Sequence, residues 1–442
     1  KQPLPDDNHW GEHMWSPNYK DDNQKQCHES GTAPCKTACP AHIPVQGYLK
    51  LAAQGRYTDA LELIKKENPF PAVCGRICNK RCEAECTRGD VDEAVAIDEV
   101  KRFIAQQDLN AETRFVPEKV IPKVDGEFSE KIAVIGAGPA GMSCAYYLAN
   151  KGYPVTVFDR NPVPGGMLTL GIPNFRLEKD VLNAEIDILR EMGVEFRCGV
   201  EVGKDITIEQ LRAQGYKGFY LAIGAQKSAP IGVPGEELSG VYGGVDFLRR
   251  VNLGKKPRIG KKCAVIGGGN VAMDAARCAK RLGADVTVVY RRGEEEIPAR
   301  KEEYEHAKEE GINFHLLCNP VEILADDKGW VRGLKCIRME LGEPDEKGRR
   351  RPIEVPGSEF EMACDSVIMA LGTSPNPLLR KATPDLEYSD RGGIVVKDDT
   401  VTTMKDGVFA GGDAVTGAAT VILAMGAGKL GAKSIDEALS NK

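Results

Sequence analysis

The chain has 442 residues, more than one compact domain holds, so two or three domains are expected. Its 59 Lys and Arg against 65 Asp and Glu leave a net charge of -6, which argues against a nucleic-acid or membrane-surface partner. No apolar run approaches the length of a membrane span, and Lys1–Lys20 has no signal-peptide core, so a cytoplasmic protein without membrane insertion is expected. The first residues are rich in Pro, Asn, Asp, Trp and His and read as an extended arm over 1–23.

A cysteine-rich block follows, with helical periodicity at Val45–Gln54, Tyr57–Glu67 and Ala94–Gln107. Seven of the 14 cysteines lie in this block: Cys27, Cys35, Cys39, Cys74, Cys78, Cys82 and Cys86. The others (Cys144, Cys198, Cys263, Cys278, Cys318, Cys336 and Cys364) are scattered in apolar segments and read as small buried side chains. A secreted disulfide scaffold would be shorter and more evenly studded, so the clustered thiols point to metal. Cys35-Lys36-Thr37-Ala38-Cys39-Pro40 has the C-x3-C-P ending of iron–sulfur ferredoxins. Cys74, Cys78, Cys82 and Cys86 recur at every fourth position. In one continuous helix the outer two would stand roughly 18 Å apart, too far for one four-iron cube. Either the segment bends, with Gly75 available, or its cysteines serve different clusters. A zinc site would also use four thiolates.

A Pro-rich charged linker, Asn110–Glu130, leads to the strand Ile132–Ile135 and the turn Gly136-Ala137-Gly138-Pro139-Ala140-Gly141, which opens a helix over Met142–Asn150. This is G-x-G-x-x-G in the setting a dinucleotide needs. Gly136 permits the tight turn, Gly138 lets the backbone approach a pyrophosphate, and Gly141 lets helix and strand pack closely. The pyrophosphate then meets the helix N-terminus. The next strand, Val155–Phe158, ends at Asp159, whose carboxylate suits adenosine ribose hydroxyls; Arg160 follows it. Pro164-Gly165-Gly166-Met167-Leu168 is a second close-approach loop.

The unit then repeats. Lys262–Arg291 aligns with Lys131–Arg160 without a gap, and Gly267-Gly268-Gly269-Asn270-Val271-Ala272 matches G-x-G-x-x-A. Tyr290 stands where the first copy has Asp159, with Arg291 and Arg292 beside it. Losing the carboxylate removes repulsion from a 2′-phosphate, and guanidinium groups bind one through charge-assisted forks, so this half is expected to prefer NADP(H). Arg300 is a weaker candidate for the same phosphate. Ala222-Ile223-Gly224-Ala225 and Ala370-Leu371-Gly372-Thr373 are paired apolar strand ends beside the two turns. Gly329–Glu361 alternates around a charged turn, Gly342–Arg351, and reads as an antiparallel hairpin or meander carrying no chemistry. Near the end, Gly411-Gly412-Asp413 and Gly417-Ala418-Ala419-Thr420 precede a helix over Val421–Leu439. Asp413, Ala419, Thr420 and Val421 suit the ribityl chain and anion-accepting edge of a flavin, although Asp413 is also a possible helix cap. Val202 is placed in the same FAD set. A flavin with a one-electron outlet calls for iron–sulfur rather than zinc. No C-x-x-C stands beside the flavin loops, so dithiol–disulfide chemistry is not expected.

These residues together resemble the family of the NADPH-dependent glutamate synthase small (beta) subunit, which also includes the N-terminal half of dihydropyrimidine dehydrogenase and the large subunit of NADH-dependent ferredoxin:NADP oxidoreductase. The marks are Cys74-Gly75-Arg76-Ile77-Cys78, Ala94–Phe103, Gly136–Gly141, Gly165–Arg176, Gly267–Ala272, Tyr290–Arg292 and Gly411-Gly412-Asp413. The resemblance implies an α/β protein with two nested Rossmann-like domains, for FAD and NADPH, preceded by a helical domain with two [4Fe–4S] clusters. The layout expected is an arm over 1–23, the cluster domain over 24–125, FAD domain over 126–250 and 371–442, and NAD(P)H domain over 251–370. One cluster would use Cys27, Cys35, Cys86 and a position held here by Ser30; the other, Cys39, Cys78, Cys82 and a position held here by Lys101. Cys74, Glu99 and the Ser30 alkoxide are the candidate replacements. The activity implied is hydride transfer between NADPH and FAD, with single electrons leaving through the clusters to a partner subunit or ferredoxin; the alternative is an electron-transfer subunit of a multi-subunit complex without a substrate of its own.

Overall fold

The computed structural model describes residues 33–118, 128–345, 348–397 and 401–440; the expected arm, Cys27 and Ser30 lie outside them. The chain divides into two compact units, Lys1–Glu118 with Thr420–Gly426, and Lys119–Ala419 with Ala427–Lys442.

The first unit is helical. The helices Val45–Ala53, Tyr57–Lys65 and Ile97–Leu109 fall where the apolar periodicity placed them. They bury Tyr48, Leu61, Ile64, Ile97 and Ile104 almost completely, and the Tyr48 hydroxyl donates to the Ile97 carbonyl at 3.1 Å. The Cys74–Cys86 segment is not one helix. The helix Pro71–Ile77 ends as Cys78 turns extended, Lys80 adopts a left-handed φ of 54°, and a short helix, Arg81–Ala84, follows. The bend therefore falls after Cys78 and not at Gly75. Gly75 has a packing role instead: a Cβ there would lie 2.7 Å from the Cβ of Arg102, so its absence lets the helices Pro71–Ile77 and Ile97–Leu109 meet closely.

The second unit holds two parallel five-stranded sheets of like order. In the first, strands run Val408–Ala410, Tyr216–Leu221, Lys131–Ile135, Val155–Asp159, Glu195–Cys198. In the second they run Val241–Gly243, Ser366–Met369, Lys262–Ile266, Asp285–Tyr290, Asn313–Leu316. The first sheet is completed only by Val408–Ala410, after the whole second sheet has been made, so one Rossmann-like layer is nested in the other. The near-continuous apolar strands follow from burial on both faces. Val265, Val286, Val288 and Ile368 pack with Met273 and Ala276 in the second layer, and Ala133, Phe158, Phe219 and Leu221 with Leu211 in the first.

Where the chain crosses between layers, Lys227–Ser228 pairs antiparallel with Thr373–Ser374, and the Ala229 N–H donates to the Gly372 carbonyl at 2.8 Å. The expected meander is present as Cys318–Ala325, Val331–Pro344 and Arg350–Glu354, with Phe360–Ala363 also pairing to Val331–Pro344. The scattered cysteines lie in the two layers and the meander; all but Cys198 are buried. No helix among the described residues is long and apolar enough to cross a membrane.

Candidate nucleotide and cluster sites

Both glycine turns meet the paired strand ends that the sequence set beside them. Gly136 has φ of 110°, and a Cβ there would lie 2.2 Å from the Ala222 carbonyl oxygen. Gly267 has φ of 136°, and a Cβ there would lie 2.3 Å from the Ala370 carbonyl oxygen. The third positions differ in kind. At Gly138 the nearest atom to an added Cβ is the Gly166 Cα at 4.0 Å, and at Gly269 no atom lies within 4 Å. The protein itself has room there, so glycine at these positions suits a ligand passing over the turn. The helices Pro139–Asn150 and Asn270–Arg281 both begin without a side-chain cap, leaving first-turn N–H groups and the positive dipole end for an anion. Pro139 sits in the first turn, where its missing N–H costs nothing. Gly141 and Ala272 take the close-packed position: a Cβ at Gly141 would lie 1.9 Å from the Gly136 oxygen, and Ala272 is fully buried.

In the first half, Asp159 is buried and engaged. One carboxylate oxygen accepts from the Ala137 N–H at 2.7 Å, the other from the Asn161 N–H at 2.7 Å and its side-chain amide at 2.9 Å. Three donors occupy most of the roughly four acceptor sites of a carboxylate. Its first task in this structure is thus to hold the glycine turn, and Asn161 is a partner the sequence reading missed. Arg160 lies 3.6 Å from Glu201 and donates to Gln226 at 3.4 Å. Gly166 closes on Gly138, with a Cβ there 2.7 Å from the Gly138 Cα, and Gly165 donates to the Ala137 carbonyl at 2.8 Å. The two glycine loops therefore touch backbone to backbone. Met167 and Leu168 open the short helix Met167–Leu170, and the Lys179 ammonium fixes it by donating to the Leu168 carbonyl at 2.8 Å and the Ile172 carbonyl at 2.5 Å. Burial lowers the Lys179 pKa to about 8.

Val202 belongs to the hydrophobic core of the first sheet, and Gly224 stands in open space with φ of 66°. Gly412 adopts φ of 68° before a four-residue helix, and Asp413 accepts from the Ala419 N–H at 3.2 Å, tying that loop together; burial raises its pKa. Thr420 precedes and Val421 begins the helix Val421–Ser440.

In the second half, the Tyr290 ring lies against Gly268, where a Cβ would come within 2.8 Å of it, and its hydroxyl donates to the Glu296 carbonyl at 2.7 Å. Arg291 is exposed, and Arg292 is half-buried with an Nε that has no hydrogen-bond partner. Arg300 is engaged: its backbone N–H donates to Asn270 Oδ1 at 3.0 Å and its guanidinium pairs with Glu302. Val271 packs against the core of this layer, and Gly372 has no neighbour within 4 Å of a Cβ.

A buried ionic network joins the two layers. Arg176, at the end of the Gly165–Arg176 stretch, reaches Asp274 at 2.7 Å and Glu303 at 2.9 Å; Arg277 reaches Glu303 and Glu310, each at 2.8 Å. Asp274 lies on the helix that the second glycine turn opens. Burial lifts its carboxyl to about 6, with the Arg176 guanidinium opposing. Nothing local in the sequence marks these residues as partners.

In the helical unit, Lys101 is buried and paired with Asp98, their side chains 4% and 1% exposed. It is no vacant ligand position but a fixed cation. Burial by itself lowers the Lys101 pKa, yet Asp98 and the thiols of Cys74 and Cys78 hold it above its usual value. Burial in turn raises Cys78 and pushes Cys82 up to about 12, with the Lys101 ammonium opposing in both and Cys39 adding to the rise. Cys39, Cys74, Cys78 and Cys82 thus share one electrostatic neighbourhood around one cation. The helix Pro34–Thr37 packs against Arg81–Ala84, which brings the Cys35–Cys39 segment alongside the Cys82–Cys86 segment. The donor set is all thiol, with Cys35, Cys39, Cys74 and Cys82 buried and Cys78 and Cys86 half-buried, a set that suits iron–sulfur. Glu99, the other candidate replacement among the described residues, is exposed and pairs with Lys80 at 3.6 Å and Arg102 at 4.0 Å. Cys74 is fully buried, its thiol 3.9 Å from Asn68 Oδ1 and 3.7 Å from the Met425 sulfur.

The architecture defines a class: a two-nucleotide oxidoreductase fold with a cysteine-bearing helical unit. Residues 130–428 match the pyridine nucleotide-disulphide oxidoreductase family, and residues 12–113 match dihydropyrimidine dehydrogenase domain II, 4Fe-4S cluster. The glutamate synthase [NADPH] small chain of Escherichia coli is 38% identical over 427 residues, covering 93% of this chain and 89% of that one. The NADP(+)-dependent formate dehydrogenase subunit beta of Moorella thermoacetica is 43% identical over 428 residues, covering 92% of this chain but 60% of that one. The chain likewise spans 62% of the NADPH-Fe(3+) oxidoreductase subunit beta of Geobacter sulfurreducens, at 40% identity over 89% of this chain. FprA of Mycobacterium tuberculosis, solved in complex with NADPH, shares the fold at a TM-score of 0.59 and 19% identity, over 71% of this chain and 85% of that one. The chain belongs to the pyridine nucleotide-disulphide oxidoreductase family, in the group that includes the glutamate synthase small chain. FAD, NADP(H) and [4Fe–4S] are the cofactors these matches support.

Proposed function

We propose that this chain moves a hydride between NADPH and FAD and single electrons through [4Fe–4S] clusters to or from a partner subunit or ferredoxin. The observation that carries the reading is the inequality of the two halves: Ala137 is held by Asp159, whereas Gly268 is covered by Tyr290 with Arg291 and Arg292 beside it. FAD, when bound, supplies the exchange between two-electron and one-electron chemistry.

The residues bind and orient. Gly136, Gly138, Ala140 and Gly141 present the first uncapped helix end to the FAD pyrophosphate, with Gly165 and Gly166 forming the facing wall. Gly267, Gly269, Asn270, Val271 and Ala272 do the same for NADPH, and Arg291 and Arg292 take the 2′-phosphate. Cys39, Cys78 and Cys82 would hold one cluster, with Cys74, a thiol that interacts with Cys78, to complete it. Cys35 and Cys86 belong to the other. A second reading, an electron-transfer subunit without its own substrate, is favoured by the relatives' names, which are beta subunits and a small chain. The test is steady-state oxidation of NADPH and NADH by the full protein with ferricyanide as one-electron acceptor. NADPH is expected to be the better donor; turnover with neither nucleotide would remove the proposal.

A further inference from the structure

The charged turn of the meander carries more than a fold role. Arg349 and Arg350 line a pocket of about 660 Å³ together with Arg292, Glu295 and Glu296. The pocket opens immediately beyond the strand Asp285–Tyr290, at the end of the second repeat where the first repeat has its acid. Arg350 accounts for both carboxylates: its guanidinium donates to Glu296 at 2.6 Å and to Glu295 at 3.2 Å. Three guanidinium groups face two carboxylates, and the pairing leaves Arg292 and Arg349 without a carboxylate partner among the described residues. Arg292 lines the pocket while its Nε is buried without a hydrogen-bond partner, so its guanidinium is not used up by the protein's own acceptors there. Glu296 joins this wall to the glycine turn, because its carbonyl accepts from Tyr290 while its carboxylate holds Arg350.

We propose that Arg349 is a specificity-determining residue for the 2′-phosphate of NADP(H), closing on it from the meander while Arg292 holds it from the strand end. This rests on the NADPH reading of the second repeat. A phosphate monoester carries close to two negative charges and three acceptor oxygens, which one guanidinium does not satisfy. Arg350 acts as the positioning residue that keeps the turn against the strand end and neutralises Glu295 and Glu296.

The experiment measures the dissociation constants of NADP⁺ and NAD⁺ for the full cofactor-loaded protein and for Arg292→Ala, Arg349→Ala and Arg351→Ala. Arg351 is exposed and does not line the pocket, so it is the control of equal charge change. Arg349→Ala is expected to weaken NADP⁺ roughly tenfold, the size of one charge-assisted hydrogen bond, and to leave NAD⁺ unchanged. Arg351→Ala is expected to change neither. Because the readout is a ratio within one variant, partial loss of folded protein does not mimic it. If Arg292→Ala loses the preference while Arg349→Ala keeps it, the inference is overturned and the NADPH reading stands. If the unaltered protein binds NAD⁺ as tightly as NADP⁺, both are overturned.

Discussion

Tyr290 packs its ring onto Gly268 at the same two positions of the repeat where Asp159 accepts a hydrogen bond from Ala137. One contact has been made twice, once polar and once aromatic, and the chemistry at the end of the strand changes with it. Tyr290→Phe removes only the bond to the Glu296 carbonyl; it should cost about 1 kcal/mol of stability and keep the NADPH preference. Tyr290→Asp returns a carboxylate beside Arg291 and Arg292 and should raise KM for NADPH relative to NADH. An unchanged ratio of the two KM values in the aspartate variant would show that the position does not read the 2′-phosphate.

The glycines of the second turn should separate folding from binding. Gly267→Ala drives a Cβ to 2.3 Å from the Ala370 oxygen at a φ of 136°, so it should lower Tm markedly. Gly269→Ala meets no protein atom within 4 Å, so Tm should hold while affinity for NADP⁺ falls. Thermal melts paired with nucleotide titration check both. A Gly269→Ala protein that binds as well as the parent would mean the ligand does not pass over that residue.

Lys101 and Asp98 should behave as one buried unit. Lys101→Met leaves a carboxylate that is 1% exposed without its partner and should cost about 3–5 kcal/mol in anaerobic chemical denaturation. Lys101→Met combined with Asp98→Asn should recover much of that loss, since the uncompensated charge is gone. Equal loss in the single and double variants would contradict the pairing.

The Lys179 ammonium gives a pH signature. Its folded pKa, about 8, lies below its ordinary value of 10.5, so the unfolded chain binds more protons between those limits. The cost of burying the charge is fully present below about pH 8, and stability attributable to Lys179 rises as pH climbs toward 10.5. The Tm difference between the parent and Lys179→Met should therefore shift in favour of the parent across that window. A difference that is flat with pH would place the ammonium in solvent.

What was legible in the sequence was local and repeated. Gly136 and Gly267, their helices and the strand ends at Ala222 and Ala370 were readable because a nucleotide turn must follow a strand and open a helix within a few residues. The nesting was readable because Val408–Ala410 lies far from its sheet mates in sequence yet continues their apolar pattern. The Arg176–Asp274–Glu303 network was not, because charged residues far apart in sequence reveal nothing of their burial until the layers are packed. Gly75 was available for a bend in the Cys74–Cys86 segment, but the bend falls after Cys78, for a related reason: glycine signals both a break and a close contact, and here Arg102 supplies the contact. The paired buried state of Lys101 likewise depends on Asp98 and on helices that only the fold brings together.

The central claim is that NADPH feeds two electrons into a protein that passes them on singly. Anaerobic titration of the full cofactor-loaded protein with NADPH, alongside iron and sulfide analysis, tests it most directly. The account predicts bleaching of the flavin absorbance, loss of iron–sulfur absorbance, and total uptake exceeding the two electrons that one flavin accepts. No bleaching, bleaching by NADH but not NADPH, or uptake that stops at one flavin with no iron bound would contradict it.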